Sequence, residues 1–120
     1  MLLNLDTHIL LHALQGTVTR REKTILSRYR WGISGIVLWE IAKLHQLGRI
    51  TLSLEHPGLV RALSQIEVWP LSREVCLNIS ALDFHSDPAD EMIAATSLTH
   101  QVPLLTRDAR IRACRLIKIL

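Results

Sequence analysis

At 120 residues the chain has the length of one domain and too little for two separate cores. Its 48% hydrophobic content excludes a disordered tail, and no apolar run reaches the length of a membrane span. Lys and Arg outnumber Asp and Glu by 14 to 11, a net charge of +3 that admits a nucleic-acid partner without requiring one.

The elements follow in alternation. Residues 2–5 form a short apolar run ended by Asp6 and Thr7, read as a strand and a helix cap, with Thr7 available to do the capping. The opening residues lack a basic stretch and break too soon for a signal peptide. Residues 7–14 and 20–29 read as helices separated by Gly16, and 31–34 as a brief strand. Ser34 and Gly35 open a helix that runs to about Leu47 and stops at Gly48. Residues 49–54 read as extended and half-exposed. Pro57 starts another helix at its favoured first position. Residues 67–70 read as a strand, and Ser72 caps the next helix, with Glu74 in its first turn. Asp87 and Pro88 pair an N-cap with a first-turn proline, opening a helix that reaches about His100. Residues 102–106 read as a strand, 108–113 as a short helix and 116–120 as a last strand.

Strands alternating with helices imply parallel pairing through right-handed crossovers. The expected architecture is a three-layer α/β/α sandwich with a small central parallel sheet, one domain over residues 1–120. Aromatic residues make up only 4%, so Leu, Ile, Val and Ala must fill its core. Cys76 and Cys114 lack metal-ligand spacing. Cys76 falls in an apolar helical pattern and reads as a buried small hydrophobe, and the pair suits a reducing cytoplasm. Basic residues cluster early (Arg20, Arg21, Lys23, Arg28, Arg30) and late (Arg107, Arg110, Arg112, Arg115, Lys118). Each cluster alone could be no more than a solvated helix face.

Four separated acids carry the functional signal. Asp6 and Asp108 each follow an apolar strand, at the end of the sheet where open parallel folds bind ligands. On a wheel of about 100° per residue, Glu40 falls within the arc of Ile36, Val37, Ile41, Leu44 and Leu47. A carboxylate in an apolar stripe is costly unless paired or bound to a metal. Asp90 shares its helix side with Ile93, Ala94 and Ser97, a face expected to pack inward, whereas Asp87 reads as a plain N-cap. Helix capping competes with ligation at Asp6 and Asp108, a macrodipole preference at Asp90 and a structural salt bridge at Glu40. Gathered in one crevice, four carboxylates repel unless protons or a divalent cation neutralise them.

These residues resemble a known family. The segments Leu2-Leu3-Asn4-Leu5-Asp6-Thr7-His8 and Ile33-Ser34-Gly35-Ile36-Val37-Leu38-Trp39-Glu40-Ile41-Ala42 look like the opening motifs of PIN-domain ribonucleases. Leu47-Gly48-Arg49-Ile50, Asp87-Pro88-Ala89-Asp90-Glu91-Met92-Ile93-Ala94-Ala95-Thr96 and Leu104-Leu105-Thr106-Arg107-Asp108-Ala109-Arg110-Ile111 extend the likeness over nearly the whole chain. It is closest to the VapC-type toxins of bacterial toxin–antitoxin pairs. The resemblance implies a cytoplasmic, Mg²⁺- or Mn²⁺-dependent endoribonuclease held inactive by a cognate antitoxin. It assigns the catalytic, metal-binding quartet to Asp6, Glu40, Asp90 and Asp108, with Asp6 and Asp90 as the foremost ligands and Thr106 and Ser34 as supports. Three positions depart from the family pattern. Asn4 replaces a strand hydrophobe, His12 a common aromatic, and Glu91 a basic residue after the third acid.

Hydrolysis of an RNA phosphodiester by a metal-activated water is the implied chemistry, and hard oxygen donors suit Mg²⁺ or Mn²⁺ better than zinc. The basic clusters would steer RNA through its phosphates. His8, His12, His45, His56, His85 and His100 lack zinc-protease spacing, although His8 lies near the first acid. Trp39, opposite the Glu40 stripe, marks a face for a homodimer or an antitoxin. Two other classes compete. One is a non-catalytic interaction module of the same fold, binding a partner or RNA. The other is a phosphoacceptor receiver domain, which would need an acceptor aspartate where Val68-Trp69-Pro70 supplies none.

Overall fold

The structure is a computed structural model and describes residues 1–120. Four parallel strands, β1 (Leu2–Leu5), β2 (Arg30–Ser34), β3 (Glu67–Trp69) and β4 (Leu104–Leu105), form one sheet in the order β3-β2-β1-β4. Seven helices connect them: α1 (Thr7–Gln15), α2 (Arg20–Arg28), α3 (Gly35–Gln46), α4 (Pro57–Leu63), α5 (Arg73–Asn78), α6 (Pro88–His100) and α7 (Ala109–Arg112). The expected α/β layering with a small parallel sheet is what forms. Neighbours in β1 point to opposite faces, yet Leu3, Asn4 and Leu5 are all fully buried, so helices cover the sheet on both sides.

Local chemistry explains the helix ends. Gly16 and Gly48 both take φ 72°, the left-handed region open to glycine, where α1 and α3 stop. Thr19 and Glu22 form a reciprocal capping box at the start of α2. His56 caps α4 through Nδ1, which accepts from the Gly58 N–H at 3.0 Å. Ser72 caps α5 by accepting from Val75 N–H at 3.2 Å.

The strand order places a topological switch point between β1 and β4. From β1 the chain moves outward through β2 to β3, then returns by α5 and α6 to the opposite side of β1. Asp6 follows β1 and Thr106 follows β4, so both stand at the carboxyl end of that switch.

Several expectations are corrected. The last strand, 116–120, reduces to a single bridge between Leu104 and Ile119, because β4 offers only two residues to pair with. Residues 49–54 are half-exposed as expected, in an irregular connection from which Ile50 and Leu52 pack on the core. Leu47 is exposed, since α3 has already ended at Gln46. Cys76 is exposed and Cys114 is the buried thiol, because α5 buries Val75 and turns its neighbour outward. Asp87 occupies the N-cap position of α6 without a capping bond; instead Glu91 Oε2 accepts from the Ser86 N–H at 3.2 Å.

One glycine is required by a close approach. A Cβ on Gly32 would lie 2.5 Å from the Trp69 ring, which is buried and stacked on His100 at a centroid distance of 5.4 Å. Overpacking of this kind costs about 1–3 kcal/mol. Gly32→Ala is therefore expected to destabilise the fold by about 2 kcal/mol in urea titration. A change within about 0.5 kcal/mol, the scatter of neutral surface substitutions, would show that Trp69 moves freely.

Candidate active site

Asp6 is 3% exposed, and both its oxygens are engaged. Oδ1 accepts from the Thr7 N–H at 2.8 Å, and Oδ2 accepts from the Thr106 hydroxyl at 2.5 Å. Those two bonds fix its rotamer across the switch point. Thr7 is the first residue of α1 and does not cap it; its hydroxyl donates to Glu40 Oε1. Glu40 is half-buried, within the α3 face that buries Val37 and Ile41. Asp90, also half-buried, sits in the first turn of α6, and its Oδ2 accepts from the Ser86 hydroxyl at 2.9 Å. The inward packing of its helix side holds, with Ile93, Ala94 and Ser97 buried.

Asp108 caps α7. Its Oδ1 accepts from Arg110 N–H at 2.9 Å and Ile111 N–H at 3.0 Å, so Oδ2 takes no part in the cap. Its own N–H donates to the Thr106 hydroxyl at 3.0 Å, so Thr106 links the first acid to the last. Ser34 is buried with its oxygen committed to capping α3, and it accepts from Ile36 N–H at 3.2 Å.

The acids act on one another. Burial pushes the Asp6 carboxyl above its ordinary value against the pull of its hydrogen bonds, and Asp108 pushes it further. Burial also raises Glu40, with Asp6 and Asp90 adding to the rise. Asp90 is raised by burial first and then by Asp6, Asp108 and Asp87. The four residues singled out by sequence therefore share one electrostatic field. His8 is exposed, yet its charge favours ionised Asp6 and Glu40.

This donor set fits a hard divalent cation. No three His, Cys, Asp or Glu side chains are preassembled as a cage. Mg²⁺ does not need one, since it is ordinarily held by one or two carboxylates and keeps several waters. Burial, the first cause of the raised carboxyls, and the repulsion between neighbouring acids are costs that a cation would offset. The largest cavities, about 470 and 420 Å³, lie elsewhere and contain none of the four acids.

Four supports were not legible in the sequence. The Thr7–Glu40 bond spans two elements. Asn4, buried within β1, donates from Nδ2 to the Ile93 carbonyl at 3.0 Å and the Ser97 hydroxyl at 2.9 Å, tying β1 to α6, while its Oδ1 has no partner. Glu22 is buried and receives two bonds from Arg107, from Nε and Nη2, each 2.7 Å. Arg112 Nη1 donates to the carbonyls of Thr106 and Leu120, both at 3.0 Å. Arg107 and Arg112 thus leave the basic cluster expected to face RNA.

The PIN domain family model matches residues 4–115. No curated protein matches the chain in sequence. The fold is similar to a chain of VapBC2 from Rickettsia felis bound to a promoter DNA fragment, with TM-score 0.78 and 17% identity over 100% of this chain and 98% of that one. It is also similar to a chain of a Klebsiella pneumoniae toxin–antitoxin complex, with TM-score 0.73 and 21% identity over 98% and 94%. A third is FitAcB from Neisseria gonorrhoeae, with TM-score 0.69 and 19% identity over 100% and 96%.

Proposed function

This chain belongs to the PIN domain family, and from that premise we propose that it is a Mg²⁺- or Mn²⁺-dependent endoribonuclease, the toxin of a toxin–antitoxin pair. The observation that carries the reading is that Thr106 links Asp6 to Asp108 at the switch point of the sheet, with Glu40 and Asp90 close enough that Asp6 adds to the rise that burial causes in each. Asp6 and Asp90 would hold the cation, with Glu40 and Asp108 completing its surroundings. A bound cation would supply the Lewis acidity needed by a phosphodiester and its attacking water.

The chain's own residues do the rest. Thr106 and the Thr7 N–H hold Asp6 in one orientation, and Ser86 does the same for Asp90. Thr7 occupies Oε1 of Glu40, which leaves Oε2 to accept a proton from the attacking water. Exposed Arg110, beside Asp108, with Arg20 and Arg21 at the start of α2, would meet RNA phosphates. Glu91 turns toward the Ser86 N–H and toward His85, the latter at 3.7 Å, while Asp90 takes the Ser86 hydroxyl. No helix is long and apolar enough to cross a membrane, and Cys76 and Cys114 are free thiols. Incubation of the purified chain with total RNA tests the reading: cleavage in Mg²⁺ that stops on adding EDTA is expected, and intact RNA in both samples contradicts it.

The structural relatives occur in toxin–antitoxin complexes, which supports an antitoxin partner here. The Trp39 face supports a homodimer. Trp39 is 57% exposed and borders an apolar hollow of about 360 Å³ lined by Ile36, Leu71, Ala89 and Met92. A projecting ring beside a hollow on one face suits a two-fold contact, in which each copy fills the other. Trp39→Glu is expected to weaken self-association at least about a hundredfold, as loss of a central aromatic anchor does. Sedimentation velocity checks this; an unchanged dimer, or a monomeric wild type, would place the partner face elsewhere.

A further inference from the structure

We propose that Glu22 and Arg107 are positioning residues that hold the Thr106–Asp108 segment in register with Asp6. This rests on the metal-site reading above and extends it to a pair 85 positions apart in the chain. Segment 106–108 follows a strand of only two residues, so sheet pairing alone fixes it weakly. Yet Thr106 must place its hydroxyl on Asp6 Oδ2 while accepting from the Asp108 N–H. Arg107 lies between those two residues. Its guanidinium forms a two-point fork on Glu22, a geometry that fixes orientation as well as distance. Glu22 is itself anchored: Oε1 also accepts the Thr19 N–H at 2.9 Å, completing the α2 capping box. Arg112 grips the Thr106 carbonyl independently. The backbone on either side of Thr106 is thereby tied to α2 and to the chain's last residue. An arginine beside the fourth acid therefore acts inward, through the backbone, and leaves substrate contact to its neighbours.

Amide hydrogen exchange and Mn²⁺ titration on the full chain test this together. Glu22→Gln keeps the size of the side chain and removes the charge that closes the fork. Leu59→Ala, a core truncation in α4, serves as the control for general destabilisation. Glu22→Gln is expected to speed exchange at Asp108, Arg110 and Ile111 about tenfold more than at the β1 amides. Mn²⁺ affinity should fall about tenfold, in the range seen when a partner of a metal ligand is removed. Leu59→Ala should accelerate both sets of amides by one common factor and leave Mn²⁺ affinity unchanged. Arg107→Lys, which keeps the charge but not the fork, should fall between wild type and Arg107→Ala. Equal acceleration at both sets of amides in Glu22→Gln overturns the positioning role. If the wild type binds no Mn²⁺ but exchange still rises selectively around Asp108, the positioning role stands and the metal reading falls.

Discussion

Asp90→Asn is expected to lower RNA cleavage by at least about a hundredfold while raising the melting temperature of the metal-free protein. Burial holds the Asp90 carboxyl above its ordinary value, and Asp6, Asp108 and Asp87 push it in the same direction. The amide is nearly the same size, carries no charge and can still accept from the Ser86 hydroxyl. It removes a strained charge at little packing cost, and with it a donor for the cation. Sites of this kind commonly trade about 1 kcal/mol of stability for activity, here roughly 4 °C. A gel of total RNA in Mg²⁺ and a thermal melt in EDTA give the two readings. Equal cleavage by variant and wild type would remove Asp90 from the site, and a lowered melting temperature would show that its charge is not strained.

The second large effect is a stability profile that runs opposite to ordinary acid denaturation, together with its removal by metal. Asp6, Glu40 and Asp90 have folded-state values raised above 3.8, 4.5 and 3.8 respectively. Their protonated forms suit the crevice, so their contribution is complete below the ordinary carboxylate range and is lost as pH rises through the raised values. Glu22 runs the other way. Its fork with Arg107 lowers it from 4.5 to about 2, so its contribution is present above 4.5 and is lost as pH falls toward 2. The metal-free protein should therefore lose stability as pH rises through the raised values of these three carboxyls, and should weaken again in strong acid as Glu22 protonates. Mn²⁺ at a hundred times its dissociation constant should restore about 2.7 kcal/mol at pH 7.5. Its effect should shrink at pH 5, where protons compete for the ligands. Urea titrations at the two pH values, with EDTA or Mn²⁺, check this. Metal-free stability that rises from pH 5 to 7.5, with no response to Mn²⁺, would contradict it.

Signals confined to a few neighbouring residues were the legible ones. The apolar run before Asp6, the Ser34-Gly35 helix start, the glycine stops and the inward side of α6 each depend on local periodicity or capping. The four acids could be placed because each stands next to such a signal. What joins them could not be. The Thr106 hydroxyl meets Asp6 across 100 positions, and Asn4 reaches Ser97 across 93. Thr19-Arg20-Arg21-Glu22 carries a readable capping-box pattern, but nothing local tells that Glu22 also receives Arg107. The final strand was overread for a related reason. Its apolar residues are real, but pairing depends on how long a partner β4 proves to be, a property of the assembled sheet.

Calorimetric titration of Mn²⁺ into the metal-free full chain at pH 7.5, repeated on Asp6→Asn, reads the neutralisation of the crevice directly. Saturable heat in the wild type, weakened at least about tenfold by the substitution, is expected. A flat wild-type titration would mean that these carboxylates share a crevice without a cation, and the protein would then be a binding module of nuclease shape.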